Sequence, residues 1–133
     1  QVNFLIARPI TSLPATTSDR EACDALERDG CVIVENLASA DTVERIEQEL
    51  ALDIENTLSG NGDFVGYKTK RTHTVLTSSK TSGLLALQSR IMSVCETFLG
   101  PYCSKFQLSS SVAISLGAGE KRQEFHRDDL FTP

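Results

Sequence analysis

No run of apolar residues in this chain approaches the ~20 needed to cross a bilayer. The opening Gln1-Val2-Asn3-Phe4-Leu5-Ile6 also lacks the basic region and long apolar centre of a secretory signal. A cytoplasmic home is therefore expected. Positive charge is scarce as well: 13 Lys and Arg stand against 18 Asp and Glu, for a net charge of −5. Nucleic acid and anionic membranes are gripped by basic surfaces, so neither is expected as the main partner. The cysteines Cys23, Cys31, Cys95 and Cys103 form no C-x-x-C pair and lie among apolar residues, so buried thiols in a reducing compartment are expected, with a zinc or disulfide role as the lesser alternative. Internal repeats, low-complexity tracts and a domain boundary are missing too. What remains is an ordinary globular composition, 133 residues with 40% hydrophobic and 23% charged, enough for one domain with a modest core. Gln1 in first place points to a natural start further upstream.

The pattern alternates helices with strands and ends in strands, which suits an α+β domain. Phe4 to Ile6 reads as a first strand, with Pro9 and Pro14 blocking an early helix. Ser18-Asp19-Arg20-Glu21 has the form of a capping box and predicts a helix to about Arg28, stopped at Asp29-Gly30. Cys31-Val32-Ile33-Val34 reads as a buried strand. Asp41 and Glu44 cap a second helix to about Leu58, with Val43, Ile46, Leu50 and Ile54 on one stripe. Ser59 to Asp63 is loop by composition, and Phe64 to Ser79 has no clean period. From Ser82, apolar residues at Leu84, Leu87, Ile91, Val94, Cys95 and Phe98 predict a third, core-packing helix that Gly100-Pro101 ends.

Histidine is the other scarce residue, with two in the chain. His126 lies in Gln123-Glu124-Phe125-His126-Arg127-Asp128-Asp129, where Asp128 follows it by two. Residues i and i+2 of an extended segment share a face, so imidazole and carboxylate converge on one point. Together they are two thirds of the 2-His-1-carboxylate triad that holds non-heme Fe(II) and leaves coordination positions open. A carboxylate falls two places after a given histidine in about one case in seven by composition alone, so spacing is a weak motif. On the residues alone a solvent-facing pair in a polar loop stands beside the metal reading. Phe106 to Leu116, the turn Gly117 to Lys121 and a second strand delivering His126 supply the expected frame. His73 has nothing local to pair with, and the basic cluster Lys68, Lys70 and Arg71 reads first as a solvated face and second as an anion site.

Four stretches carry a family resemblance: Leu26-Glu27-Arg28-Asp29-Gly30-Cys31-Val32-Ile33-Val34, Lys68-Thr69-Lys70-Arg71, Gln107-Leu108, and Gly119-Glu120 leading into Gln123 to Asp129. The chain resembles the N-terminal half of the phytanoyl-CoA dioxygenase family of Fe(II)- and 2-oxoglutarate-dependent oxygenases, most of all the fungal members that tailor secondary metabolites. The resemblance implies a double-stranded β-helix, a cupin-like jelly roll with N-terminal buttressing helices. Residues 1–133 would form the N-terminal portion of that single domain. His126 and Asp128 match the family's first iron ligands, Gln123 and Gln107 its 2-oxoglutarate-binding positions, and Arg71 and His73 fall in the substrate or cofactor pocket. His73 departs from the small residue that many relatives carry. Dioxygen and a small organic molecule would be co-substrates, with succinate and CO2 as co-products. The third iron ligand and an arginine for the far carboxylate of 2-oxoglutarate are expected from a C-terminal continuation or a partner chain, and a homodimer stays open. Two rival functions remain: a non-catalytic jelly-roll binding module, and a small cupin-like metal enzyme using His73 with His126 and Asp128.

Overall fold

The computed structural model describes residues 9–126. In chain order these form β1 (Ser12–Pro14), α1 (Asp19–Asp29), β2 (Ile33–Glu35), α2 (Ala40–Asn56), β3 (Thr69–Thr72), α3 (Val75–Ser78), α4 (Lys80–Ala86), α5 (Ser89–Leu99) and β4 (Ala113–Leu116). They fall into two compact units, residues 9–44 with 83–107 and residues 45–82 with 108–126, so two of the three divisions lie within α2 and α4. Among the described residues no helix is long and apolar enough to cross a membrane.

In the first unit β1 and β2 pair in parallel, Leu13 opposite Val34. Parallel neighbours need a crossover, and α1 supplies it. Its start is fixed by the expected capping box: the Ser18 hydroxyl accepts from the Glu21 amide while the Glu21 carboxylate accepts from the Ser18 amide. Gly30 ends it in the left-handed region at φ 75°, its N–H donating to the Leu26 carbonyl. Ala22, Cys23 and Ala25 form its buried stripe, and α5 packs against it. Arg90 of α5 joins that packing, its Nη2 donating to the Ala15 carbonyl at 3.1 Å and its Nε lying 3.4 Å from the Asp19 carboxylate.

In the second unit β3 and β4 are antiparallel, with Arg71 opposite Ile114 and Lys70 opposite Ser115. Two polar side chains tie this unit's helices. Glu49 on α2 accepts from the Ser79 hydroxyl and from the amide and hydroxyl of Thr81, satisfying free donors where α4 begins. The Lys70 ammonium donates to the carbonyls of Ile54 and Glu55 at 2.9 and 2.8 Å, placing a cation at the negative end of α2.

Several elements differ from the sequence expectation. The expected strand Phe4 to Ile6 lies outside the described residues, whereas Pro14 itself ends a strand, an edge position where its missing N–H costs nothing. The strand after α1 is shifted to Ile33–Glu35 and Ile33 is 49% exposed, so it is not the buried strand predicted. The N-terminal cap of α2 comes from Ser39, whose hydroxyl accepts from the Thr42 amide, and the expected stripe is sealed at Leu50 while Val43 is exposed. The single helix expected from Ser82 is broken. The Gln88 side chain accepts from the amides of Arg90 and Ile91 and starts α5 afresh, leaving Leu84 and Leu87 exposed instead of in the core. The long strand expected from Phe106 is reduced to Ala113–Leu116, and residues 117–126 contain no strand. All four cysteines are free, but Cys31 and Cys103 are exposed; Cys23 is the buried one. Among the described residues the sheets are two separate strand pairs, a mixed helix and strand arrangement and not the double-stranded β-helix in full.

Candidate functional site

A cavity of about 240 Å³ opens beside the β3–β4 pair. Thr69 and Arg71 on β3 and Ile114 and Leu116 on β4 line it. Asp63, Phe64, Val65 and Gly66 form one wall, and Lys121, Arg122 and Gln123 another. Alternation along β3 explains the floor: Arg71 and Thr69 are two apart and share a face, while Lys70 between them points to the end of α2. Three cations against one carboxylate make the lining suited to an anion, and its apolar members suit a carbon skeleton.

The walls are tied to each other by side chains. Gln123 Nε2 donates to the Phe64 carbonyl at 2.9 Å. Glu120 Oε2 accepts from the Lys68 amide at 2.5 Å and the Thr69 hydroxyl at 3.0 Å, and Oε1 accepts from the Lys121 amide at 3.0 Å. These bonds, the Lys68 amide foremost, hold the Glu120 carboxyl below its ordinary value. Gly66 is buried at φ 92°, and a Cβ there would collide with Thr69 and the Glu120 carboxylate, so the turn runs hard against that side chain.

The expected site residues separate into three groups. Arg71 and Gln123 meet in the cavity. His126 is exposed next to it; its ring lies 5.0 Å from that of Phe64 in an edge arrangement, and its Nδ1 is 2.8 Å from the Glu124 carbonyl. His73 and Gln107 are exposed and are not among the cavity's lining residues. Asp128 lies outside the described residues, and among those described no three His, Cys, Asp or Glu side chains gather as a metal site would require. Sequence reading missed Asp63, Phe64, Lys121 and Arg122 in the lining. The one available signal was the basic pair Lys121-Arg122 directly before Gln123.

The sequence profile of the phytanoyl-CoA dioxygenase family matches residues 26–133. This chain belongs to the phytanoyl-CoA dioxygenase family. The family match begins inside α1 and takes in the whole cavity lining. Dioxygenase swnH2 of Arthroderma benhamiae is 30% identical over 139 residues, covering 93% of this chain and 44% of its own length. Multifunctional dioxygenase prhA of Penicillium brasilianum is 28% identical over 137 residues, covering 97% and 44%. Dioxygenase andF of Emericella variicolor is 27% identical over 125 residues, covering 90% and 44%. The chain thus spans less than half the length of these curated relatives.

Proposed function

We propose that this chain is the N-terminal portion of a single Fe(II)- and 2-oxoglutarate-dependent oxygenase domain that oxidises a small organic molecule, a secondary-metabolite intermediate. The observation that carries this reading is the family match over residues 26–133, with similarity to fungal dioxygenases along nearly the whole chain. The proposed domain is a double-stranded β-helix completed by further polypeptide, which brings the third iron ligand and the arginine for the far carboxylate.

His126 and Asp128 would hold the iron. The surroundings of His126 suit a ligand. Its Nδ1 lies 2.8 Å from the Glu124 carbonyl, and donation there would orient the ring, the kind of second bond usual for ligating histidines. Iron and 2-oxoglutarate supply the oxidising chemistry when bound, with succinate and CO2 as co-products. The chain's own part is binding and positioning. Arg71 offers a planar fork of donors to a carboxylate, and Gln123 keeps a second amide hydrogen for the co-substrate after giving one to Phe64. Phe64 sets its ring in an edge arrangement against that of His126.

The test is an anaerobic titration of the full-length protein with Fe(II) and then 2-oxoglutarate, followed by succinate measurement in air. Saturable 2-oxoglutarate binding that requires Fe(II) is the expected result. A full-length protein that binds neither overturns the oxygenase reading.

A further inference from the structure

The Glu120 carboxylate gathers three donors, two backbone amides and one hydroxyl, from two different walls. Lys68 and Thr69 enter β3 on one side, and Lys121 begins the Gln123 segment on the other. Both carboxylate oxygens are used, and among uncharged side chains of this length none offers two acceptor oxygens: glutamine would keep one and turn an NH2 toward donors. The clamp sits two residues before Arg71 and three before Gln123. At the far end of the same gap Gln123 ties itself to Phe64. The width of the cavity is therefore set by two side-chain bridges, one of which lies outside any role that the sequence reading gave.

We infer that Glu120 is the positioning residue of this pocket: by clamping the 62–68 turn and β3 to the 120–123 segment it sets the spacing of Arg71, Gln123 and Phe64 for a dicarboxylate co-substrate. The inference rests on the oxygenase reading above. It gives Glu120 no contact with the co-substrate. Its effect passes through the backbone of Lys68 and Lys121, and so must be carried by the charge and reach of the carboxylate rather than by bulk.

The experiment uses full-length protein with Glu120→Gln, Glu120→Asp and Thr69→Val. Three readouts are taken: 2-oxoglutarate affinity of the Fe(II) form without oxygen, Fe(II) affinity separately, and amide hydrogen exchange at Lys68. Glu120→Gln is expected to weaken 2-oxoglutarate about tenfold while Fe(II) affinity stays within about twofold, the scale of losing a charge-assisted bond and leaving donors unpaired. Exchange at Lys68 rises with it, and the KM for 2-oxoglutarate rises by more than kcat falls. Glu120→Asp recovers part of the loss. Should Glu120→Gln fail to fold, Thr69→Val removes one donor only, and about a threefold loss of 2-oxoglutarate affinity is expected there. A folded Glu120→Gln that binds 2-oxoglutarate like the wild type overturns the inference, as does a parallel fall in Fe(II) affinity and thermal stability. Wild-type protein that binds no 2-oxoglutarate sinks the oxygenase reading itself and this inference with it, an outcome visible before any variant is made.

Discussion

A glutamine amide has two hydrogens, and Gln123 commits one to the Phe64 carbonyl. Gln123→Ala therefore removes a donor to the co-substrate and slackens the wall that carries Phe64. We expect 2-oxoglutarate affinity to fall from a few-fold to about tenfold, with Fe(II) affinity retained. Anaerobic titration reads both, and an unchanged constant removes Gln123 from the site. Asp128→Ala is a different kind of change. If it supplies an iron ligand, succinate formation in the full-length protein is lost while the thermal midpoint of the metal-free protein hardly moves, because a ligand contributes to the metal more than to the core. Undiminished succinate would take Asp128 out of the ligand set. Asp129 is expected to matter less.

Helix ends in this chain are settled by single side chains, and that makes them sensitive to acid. Glu21 is lowered from its ordinary 4.5 chiefly by the Ser18 hydroxyl, Glu49 from 4.5 by Ser79, and Asp53 from 3.8 by Ser78. Each stabilises the fold while ionised. That contribution is complete above the ordinary carboxylate range and is lost as pH falls through the lowered native values. Thermal midpoints of the full-length protein should drop between about pH 5 and pH 3, and Glu49→Gln should flatten part of the drop. A midpoint independent of pH across that range would contradict the caps. Lys70→Met should cost about 0.5–1 kcal/mol by uncapping α2, read by denaturant titration. The same locality explains what the sequence disclosed. Ser18, Glu21 and Gly30 act within one turn of their own helix, so the signal is contiguous and α1 was legible. The break at Gln88 was not, because apolar spacing runs on through Leu84, Leu87 and Ile91 and cannot register a side chain that caps its own next turn. In the cavity, Arg71 and Gln123 are expected from the family resemblance; the wall at Phe64 and the clamp at Glu120 depend on bonds spanning 59 and 52 residues, which no local pattern encodes.

At the scale of the whole chain, apolar burial is thin. Among the described residues the buried hydrophobic side chains are Ala22, Cys23, Ala25, Leu50 and Val75, whereas Leu58 is 88% exposed, Leu116 70% and Phe125 96%. Singly exposed apolar residues are ordinary, but Leu116 and Ile114 are two apart on one strand and line the cavity with Phe64, which makes a patch. Residues 1–133 expressed alone should bind a hydrophobic dye, self-associate and make no succinate; light scattering and a succinate assay check this. A monomer that turns over would remove the need for further polypeptide. One more consequence follows from β3. Its neighbours Lys70 and Arg71 serve opposite sides, one capping α2 and the other lining the cavity. The turn that leads into the strand is tied at both ends, Gly60 to Thr69 and Phe64 to Gln123. Deleting one residue from that turn would advance β3 by a single step and turn each cation to the opposite face of the strand. The number of residues between Gly62 and Lys68 is thus under tighter constraint than the identity of most of them, and a length edit there should be worse than nearly any substitution.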